Sequence, residues 1–256
     1  MEMWKNTPGR CAEIPQLVYY PAKNKTSDAA IVIFPGGGFV GRSSHEGKGY
    51  AEFLNDAGYD AFVCNYRVEP SYYPLPLLDA RRAVRWVRYH ADEYGIDKNK
   101  ICVMGSSAGG TMSALLSTFK GKLEYEGIDE IDNESFIPNG QIICYGYISL
   151  CGEGLKLDWA NKSLFGEYNS PLESVISPEL NVTPETPKAF IWQTAEDDCC
   201  VLGHSLTYAR ALRENNVPVE MHIYPYGGHG LGRAQDDPYL SRWTDCLLDW
   251  LKAEFK

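Results

Sequence analysis

The chain alternates short apolar runs with longer stretches whose apolar residues recur at helical spacing. Residues 16–20 read as a strand closed by Pro21. Residues 29–34, Ala-Ala-Ile-Val-Ile-Phe, have no polar position, the pattern of a strand covered on both faces. A helix is expected over 45–57, ended by Gly58 in the usual C-terminal position. A second buried strand is expected over 59–66, then a Pro- and Tyr-rich loop to Pro76. From 77 to 94 the spacing predicts one helix with an apolar face at Leu78, Ala83, Trp86 and Val87. Its arginines at 81, 82, 85 and 88 stand beside acidic residues and read as a solvated face. Further strands are expected from residue 101, at 141–148, 188–193 and 218–224, with helices from about 108, at 204–215 and at 239–255.

Strands and helices in this order predict an α/β protein with a mostly parallel sheet and helices on both faces. Two segments break the rhythm. Residues 120–139 are polar and acidic and read as an exposed excursion. Residues 149–187 carry Pro171, Pro178, Pro184 and Pro187 around short amphipathic pieces. They read as a small lid inserted into a single domain spanning 1–256. Trp159, Leu164, Phe165 and Tyr168 in that insertion either line a substrate pocket or anchor the lid itself.

The candidate chemistry sits at strand ends. The strand from Ile101 runs into Gly105-Ser106-Ser107-Ala108-Gly109 and then a helix-forming stretch. Gly-x-Ser-x-Gly in that context is the sharp turn on which α/β-hydrolases present a nucleophilic serine, here Ser107. The N-terminus of the following helix offers free N–H groups to a developing negative charge. Three consecutive glycines, Gly36-Gly37-Gly38, follow the 29–34 strand, where such enzymes build half of an oxyanion hole. Pro35 stands where histidine usually opens that motif. This keeps the N–H donors and removes a side chain that commonly braces the loop.

A serine hydroxyl needs a base to take its proton. Of five histidines, His45, His90 and His204 fall at or in helices and His222 in a strand. His229 stands in the glycine-rich loop after the last strand, at the sheet edge where open α/β sheets bind ligands. The orienting carboxylate is expected in the loop after residue 193, where Glu196, Asp197 and Asp198 are all available. Cys199 and Cys200 follow them and read as buried thiols, since nothing basic is adjacent in sequence.

Composition narrows the partners. With 24 Lys+Arg against 34 Asp+Glu, the net charge of −10 disfavours nucleic acid and anionic membrane surfaces. No apolar run approaches the ~18 residues of a spanning helix. Residues 1–10 show no apolar h-region, so no secretory signal is expected. The eight cysteines include no Cys-x-x-Cys pair, and reduced thiols in a cytoplasmic protein are expected.

Taken together, Phe34 to Phe39, Asn65-Tyr66-Arg67, Gly105 to Gly109, Thr194 to Asp198 and Gly228 to Gly232 resemble the bacterial α/β-hydrolase esterase/lipase family. The acetylxylan-esterase-like branch is the most similar. The resemblance runs from about residue 17 to 251 and is weakest over 120–187. It implies the α/β-hydrolase fold and, aligned through Ser205-Leu206, places the acid on Asp197. Where the family commonly has Val-Pro after the acid, this chain has Cys200-Val201. The implied activity is a serine carboxylic-ester hydrolase with catalytic Ser107, Asp197 and His229. Its oxyanion hole would use the N–H groups of Gly37, Gly38 and Ala108, with Trp159, Phe165 and Tyr168 at the substrate. No metal or cofactor is implied. Short-acyl esters are the expected substrates, acetylated sugars or xylo-oligosaccharides among them, and a homo-oligomer is compatible with the sequence. A proline-type peptidase and a non-catalytic binding module on the same fold are the competing readings. The first normally carries a propeller or a large cap, and the second normally loses the serine, the histidine or the glycine loop.

Overall fold

Strand β2 (Ala30–Phe34) is buried along its whole length, so it needs partners on both edges and cover on both faces. In a computed structural model that describes residues 1–9 and 13–255, it has both. It lies between β3 (Asp60–Asn65) and β4 (Ile101–Ser106), parallel to each. The sheet extends outward through β1 (Gln16–Tyr20), β5 (Gly140–Cys144), β6 (Ala189–Thr194) and β7 (Val219–Tyr224), in the order β1-β3-β2-β4-β5-β6-β7. Only β1 runs antiparallel, against β3.

The period-2 geometry of β2 sorts the core into two layers. Ala30, Val32 and Phe34 join a cluster with α2 (Leu75–Tyr89) and α4 (Ala108–Thr118), through Leu77, Val84, Val87, Met112 and Leu115. Ile31 and Ile33 face the other way. They pack with Tyr50 and Leu54 of α1 (Ser44–Asp56) and with Trp243, Leu247 and Leu251 of α8 (Trp243–Glu254). An α/β-hydrolase sheet with helices on both faces is therefore what the strand pattern predicts and what forms.

The expected 77–94 helix is two pieces, because the backbone at His90 leaves helical geometry before α3 (Ala91–Tyr94). The expected 141–148 strand stops at Cys144. There Tyr145 takes a positive φ of 38° and turns the chain toward the sheet's carboxyl edge.

The reading of the α2 arginines as a solvated face is wrong. Arg81, Arg82, Arg85 and Arg88 are all buried, covered in part by the acidic excursion, which turns Glu126, Asp129 and Asp132 toward them while its outer residues, Tyr125 and Ile128 among them, are exposed as expected. Arg82 pairs with Asp129 and Asp132 (2.6 and 3.0 Å) and lies over the Trp4 ring. Arg81 and Arg85 share Glu126 (3.1 and 3.0 Å). Arg88 donates to the carbonyls of Lys98 and Ile137 and to the Asn139 side chain. Buried guanidinium groups are tolerable because nearly every donor has an acceptor.

Residues 149–187 carry α5 (Asp158–Phe165) and α6 (Leu172–Ile176). Ala160, Leu164 and Ile176 pack into the cluster shared with α2 and α4. Asn161 accepts from the Tyr147 hydroxyl at 2.8 Å and donates to the Leu150 carbonyl at 2.8 Å. α7 (Gly203–Glu214) covers β6 and β7. Seven cysteines are free thiols, and Cys11 lies outside the described residues. No described helix is long and apolar enough to cross a membrane.

Candidate active site

At the end of β4 the chain reverses through Ser107, whose φ of 51° and ψ of −121° lie where non-glycine residues are rarely found. Such a conformation costs roughly 1–3 kcal/mol and persists only where its surroundings impose it. Here the Ser107 N–H donates to the Cys144 carbonyl (3.1 Å). The Ser107 carbonyl accepts from Thr111 and Tyr147 (3.1 and 3.2 Å). Gly105 and Gly109 are required by contact. A Cβ on Gly105 would stand 2.0 Å from the Gly109 carbonyl oxygen, and one on Gly109 would stand 1.8 Å from that of Phe34.

The structure brings Ser107, His229 and Asp197 together across 122 and 32 residues of sequence. His229 Nδ1 lies 2.8 Å from Asp197 Oδ2, and its Nε2 lies 2.8 Å from Ser107 Oγ. An ionised carboxylate only accepts, so the ring proton sits on Nδ1 and Nε2 accepts from the serine hydroxyl. Burial by itself would lower the His229 pKa. The hydrogen bond and charge of Asp197 outweigh it, and the net shift is upward from 6.5.

Of the three adjacent acids, only Asp197 is buried; Glu196 and Asp198 are exposed. Asp197 Oδ1 accepts the N–H groups of Cys199 and Cys200 (3.0 and 2.9 Å), and Oδ2 accepts Gln193 Nε2 (3.1 Å) as well as His229. The departure at Cys200-Val201 thus leaves a closed acid loop. Cys199 reaches the site from this loop, and the adjacent Cys200 thiol holds the Cys199 thiol below the ordinary value against the opposing effect of burial.

Gly37 and Gly38 line a cavity of about 160 Å³ with Ser107, His229, Trp159 and Cys199. Ala108 is the first residue of α4, so its N–H is one of those a helix leaves without an internal partner. The glycine loop is braced despite Pro35. Glu46 accepts the Gly36 N–H (3.0 Å), and the Tyr66 hydroxyl donates to the Pro35 carbonyl (2.7 Å). A larger cavity of about 780 Å³, lined by Lys25, Asp28 and Lys100 among others, opens near the amino ends of β2 and β4 and contains none of these groups.

Sequence reasoning missed Glu46 and Tyr145. The buried Glu46 carboxylate accepts the Tyr145 hydroxyl (2.7 Å), and Tyr145 accepts the Gly232 N–H (2.8 Å). The Tyr145 ring stands edge-on to His229 at 5.3 Å. Burial pushes its hydroxyl well above the ordinary tyrosine pKa, so it remains a donor. This chain of contacts links the glycine loop to the His229 loop. His45 adds a second link, its Nε2 lying 2.9 Å from the Gly230 carbonyl oxygen. Nothing local in the sequence marks either missed residue, since their partners lie 99 and 87 positions away.

The three aromatic candidates separate. Trp159 lies against Gly38 and lines the cavity while remaining half exposed. Phe165 instead packs on Tyr73 (5.9 Å between centroids) at the edge of the core. Tyr168 is exposed on the surface with Lys162 over its ring. Neither lines the cavity: the helical turn that points Trp159 inward points Phe165 into the core, and Gly166 ends α5 before Tyr168.

The sheet order and the helices on both its faces define an α/β-hydrolase fold. A family model described as BD-FAE matches residues 17–212. The chain belongs to that family, within the acetylxylan-esterase-like branch of α/β-hydrolase esterases. It is 33% identical over 235 residues to an endo-1,4-beta-xylanase B of Butyrivibrio fibrisolvens, covering 90% of this chain and 36% of that protein. It is 32% identical over 244 residues to an acetylxylan esterase of Xylanibacter ruminicola, covering 93% of this chain and 48% of that protein. The chain thus spans less than half the length of both relatives. The crystal structure of an acetyl ester-xyloside bifunctional hydrolase from Caldicellulosiruptor lactoaceticus matches with a TM-score of 0.92 at 36% identity. That match covers 99% of this chain and 95% of the other.

Proposed function

We propose that this protein hydrolyses short-acyl carboxylic esters through an acyl-enzyme on Ser107, with acetylated sugars or xylo-oligosaccharides as its substrate class. The observation that carries the reading is the unbroken chain from Ser107 Oγ through His229 to buried Asp197, each link 2.8 Å. His229 Nε2 takes the serine proton as Oγ attacks the ester carbonyl. The tetrahedral oxyanion is held by the N–H groups of Ala108 and of Gly37 or Gly38, worth roughly 3 kcal/mol per donor. His229 then protonates the leaving alcohol, and a water deprotonated by the same nitrogen releases the acid. These steps use only the protein's own groups and water.

Two features support short acyl groups on sugar alcohols. The cavity at Ser107, about 160 Å³, is well below the roughly 300–1,000 Å³ of sites that enclose drug-sized ligands. Trp159 presents an exposed aromatic surface at its rim, suited to stacking on a sugar ring. The relatives' names, acetylxylan esterase and acetyl ester-xyloside hydrolase, agree in substrate class. The test is a series of p-nitrophenyl esters alongside acetylated xylo-oligosaccharides. Each buried methylene gains about 0.8 kcal/mol, so a true acyl tunnel would give rates that climb with chain length. Here kcat/KM is expected to be highest at acetate or propionate and lower by octanoate. A maximum at octanoate or beyond refutes the short-acyl assignment.

The pH profile gives a second check. The base must be neutral, and the contacts to Asp197 raise its pKa above 6.5. The acidic limb of kcat/KM should therefore lie above 6.5, the rate falling as the pH drops through it. A limb at or below the ordinary histidine value would contradict the assignment of His229 as base.

A further inference from the structure

The proposed ester hydrolysis uses neither sulfur of the acid loop, yet both sulfurs converge on its base. Cys199 Sγ, Cys200 Sγ and a ring nitrogen of His229 all lie within 4.8 Å of one another. The convergence is fixed by the backbone, because both cysteine N–H groups are tied to Asp197 Oδ1. Cys200 is buried, whereas Cys199 is partly exposed and lines the cavity beside Ser107 and His229. A small ion entering the cavity therefore has a path to the pair, and neither thiol is consumed in a disulfide.

Two thiols and an imidazole form a soft donor set of the kind that selects zinc and cadmium over magnesium or calcium. Zinc binds sulfur at about 2.3 Å and imidazole nitrogen at about 2.0–2.1 Å, which in a tetrahedron sets the donors roughly 3.4–3.8 Å apart. The two sulfurs and the ring nitrogen, already within 4.8 Å of one another, need to close by roughly 1.0–1.4 Å at most to reach that spacing. His229 Nδ1 is held by Asp197, so Nε2 is the nitrogen available to a cation, and Nε2 is the atom that Ser107 needs.

We propose that Cys199, Cys200 and His229 form a binding site for a thiophilic divalent cation of the Zn²⁺ or Cd²⁺ type, and that its occupation reversibly switches off hydrolysis by taking Nε2 from Ser107. Binding displaces the two thiol protons to solvent and forms two metal–sulfur bonds and one metal–nitrogen bond. The fourth position is left to water or to the Ser107 oxygen. No redox change is involved.

The experiment titrates the full chain, freed of metal with EDTA and desalted, with Cd²⁺. The thiolate-to-cadmium charge-transfer absorbance reports binding, and p-nitrophenyl acetate hydrolysis is followed in parallel. Wild-type protein should develop the band with saturation at a single equivalent, lose activity with the same midpoint, and recover it when EDTA is added. Mg²⁺ should do neither. In Cys199→Ser the midpoint should rise by about tenfold or more, the least that losing a direct ligand should cost. Each variant is compared with its own cation-free rate. Cys199 is partly exposed, so this variant keeps the test valid even where the buried Cys200→Ser variant does not fold, which a thermal melt monitors. Ser107→Ala, inactive if the proposed hydrolysis is right, should still give the band, so binding is read independently of catalysis. The proposal is overturned if wild type shows no band at one equivalent, or if Cys199→Ser binds and is inhibited with the wild-type midpoint. It is also overturned if inhibition appears without the band.

Discussion

Replacing Ser107 with alanine should lower ester hydrolysis by roughly a thousandfold or more while leaving the fold intact. The expectation rests on what each of the two adjacent serines touches. Ser107 occupies the strained turn with its Oγ 2.8 Å from His229 Nε2. Alanine removes the oxygen without altering the backbone preference much, so the turn and the three hydrogen bonds that impose it remain. Ser106, by contrast, is fully buried in β4 and its Oγ bonds the Tyr50 hydroxyl at 2.8 Å. Ser106→Ala should cost about 1 kcal/mol of stability for that hydrogen bond and leave most of the activity. Measuring kcat/KM on p-nitrophenyl acetate for both variants, with circular dichroism as the control, decides the matter. An active Ser107→Ala and a dead Ser106→Ala would reverse the assignment. Fluorophosphonate labelling that survives Ser107→Ala would exclude Ser107 as the nucleophile.

Asp197→Asn should lower kcat on the order of a thousandfold or more, and the hydrogen-bond shell explains why an isosteric change is so costly. Every group facing the carboxylate is a donor: two backbone N–H groups at Oδ1, and Gln193 Nε2 and His229 Nδ1–H at Oδ2. An asparagine must turn its NH₂ toward one side. The backbone N–H groups of Cys199 and Cys200 cannot become acceptors, and Gln193 is fixed because its Nε2 also donates to the Cys200 carbonyl (2.8 Å). His229 is the partner able to change. It would accept at Nδ1 and carry its proton on Nε2, where it can no longer take one from Ser107. The leftover clash with Gln193 should also cost about 1–3 kcal/mol of stability. Asp198→Asn, at an exposed position, should be far milder in both respects. Steady-state kinetics and thermal melts of the two variants check the ranking, and a reversed order would move the acid by one residue.

How legible the protein is from its sequence depends on how local each interaction is. The strand at Ala30–Phe34 and the first four residues of Ile101–Ser106 are readable because full burial there leaves only apolar side chains. The turn at Ser107 is readable because contacts at 1.8 and 2.0 Å leave only glycine possible at Gly109 and Gly105. These are constraints that one stretch of chain imposes on its own residues.

The α2 arginines show the opposite case. Helical spacing beside acids looks the same whether the face meets water or a folded-back segment. Only the packing of residues 119–139 against α2 turns Arg81, Arg82, Arg85 and Arg88 into buried partners of Glu126, Asp129, Asp132 and backbone carbonyls. The choice among Glu196, Asp197 and Asp198 has the same character. Composition leaves it open, resemblance points to Asp197, and the burial of that carboxylate among four donors comes from the loop's tertiary course. Of the aromatics on residues 149–187, the rotation and end of α5 bring Trp159 to the cavity and send Phe165 and Tyr168 elsewhere. Glu46 and Tyr145 meet beneath the site only because β5 ends at Cys144 next to the helix that starts at Ser44. The sequence by itself therefore determined the sheet, its two-sided core and the sharp turn at Ser107, each set by short-range sterics and the period of the strand. Tertiary structure alone decided which charges are buried, which aromatic faces the cavity, and what braces the glycine loop. Those outcomes depend on desolvation and hydrogen bonding between segments that the chain order keeps far apart.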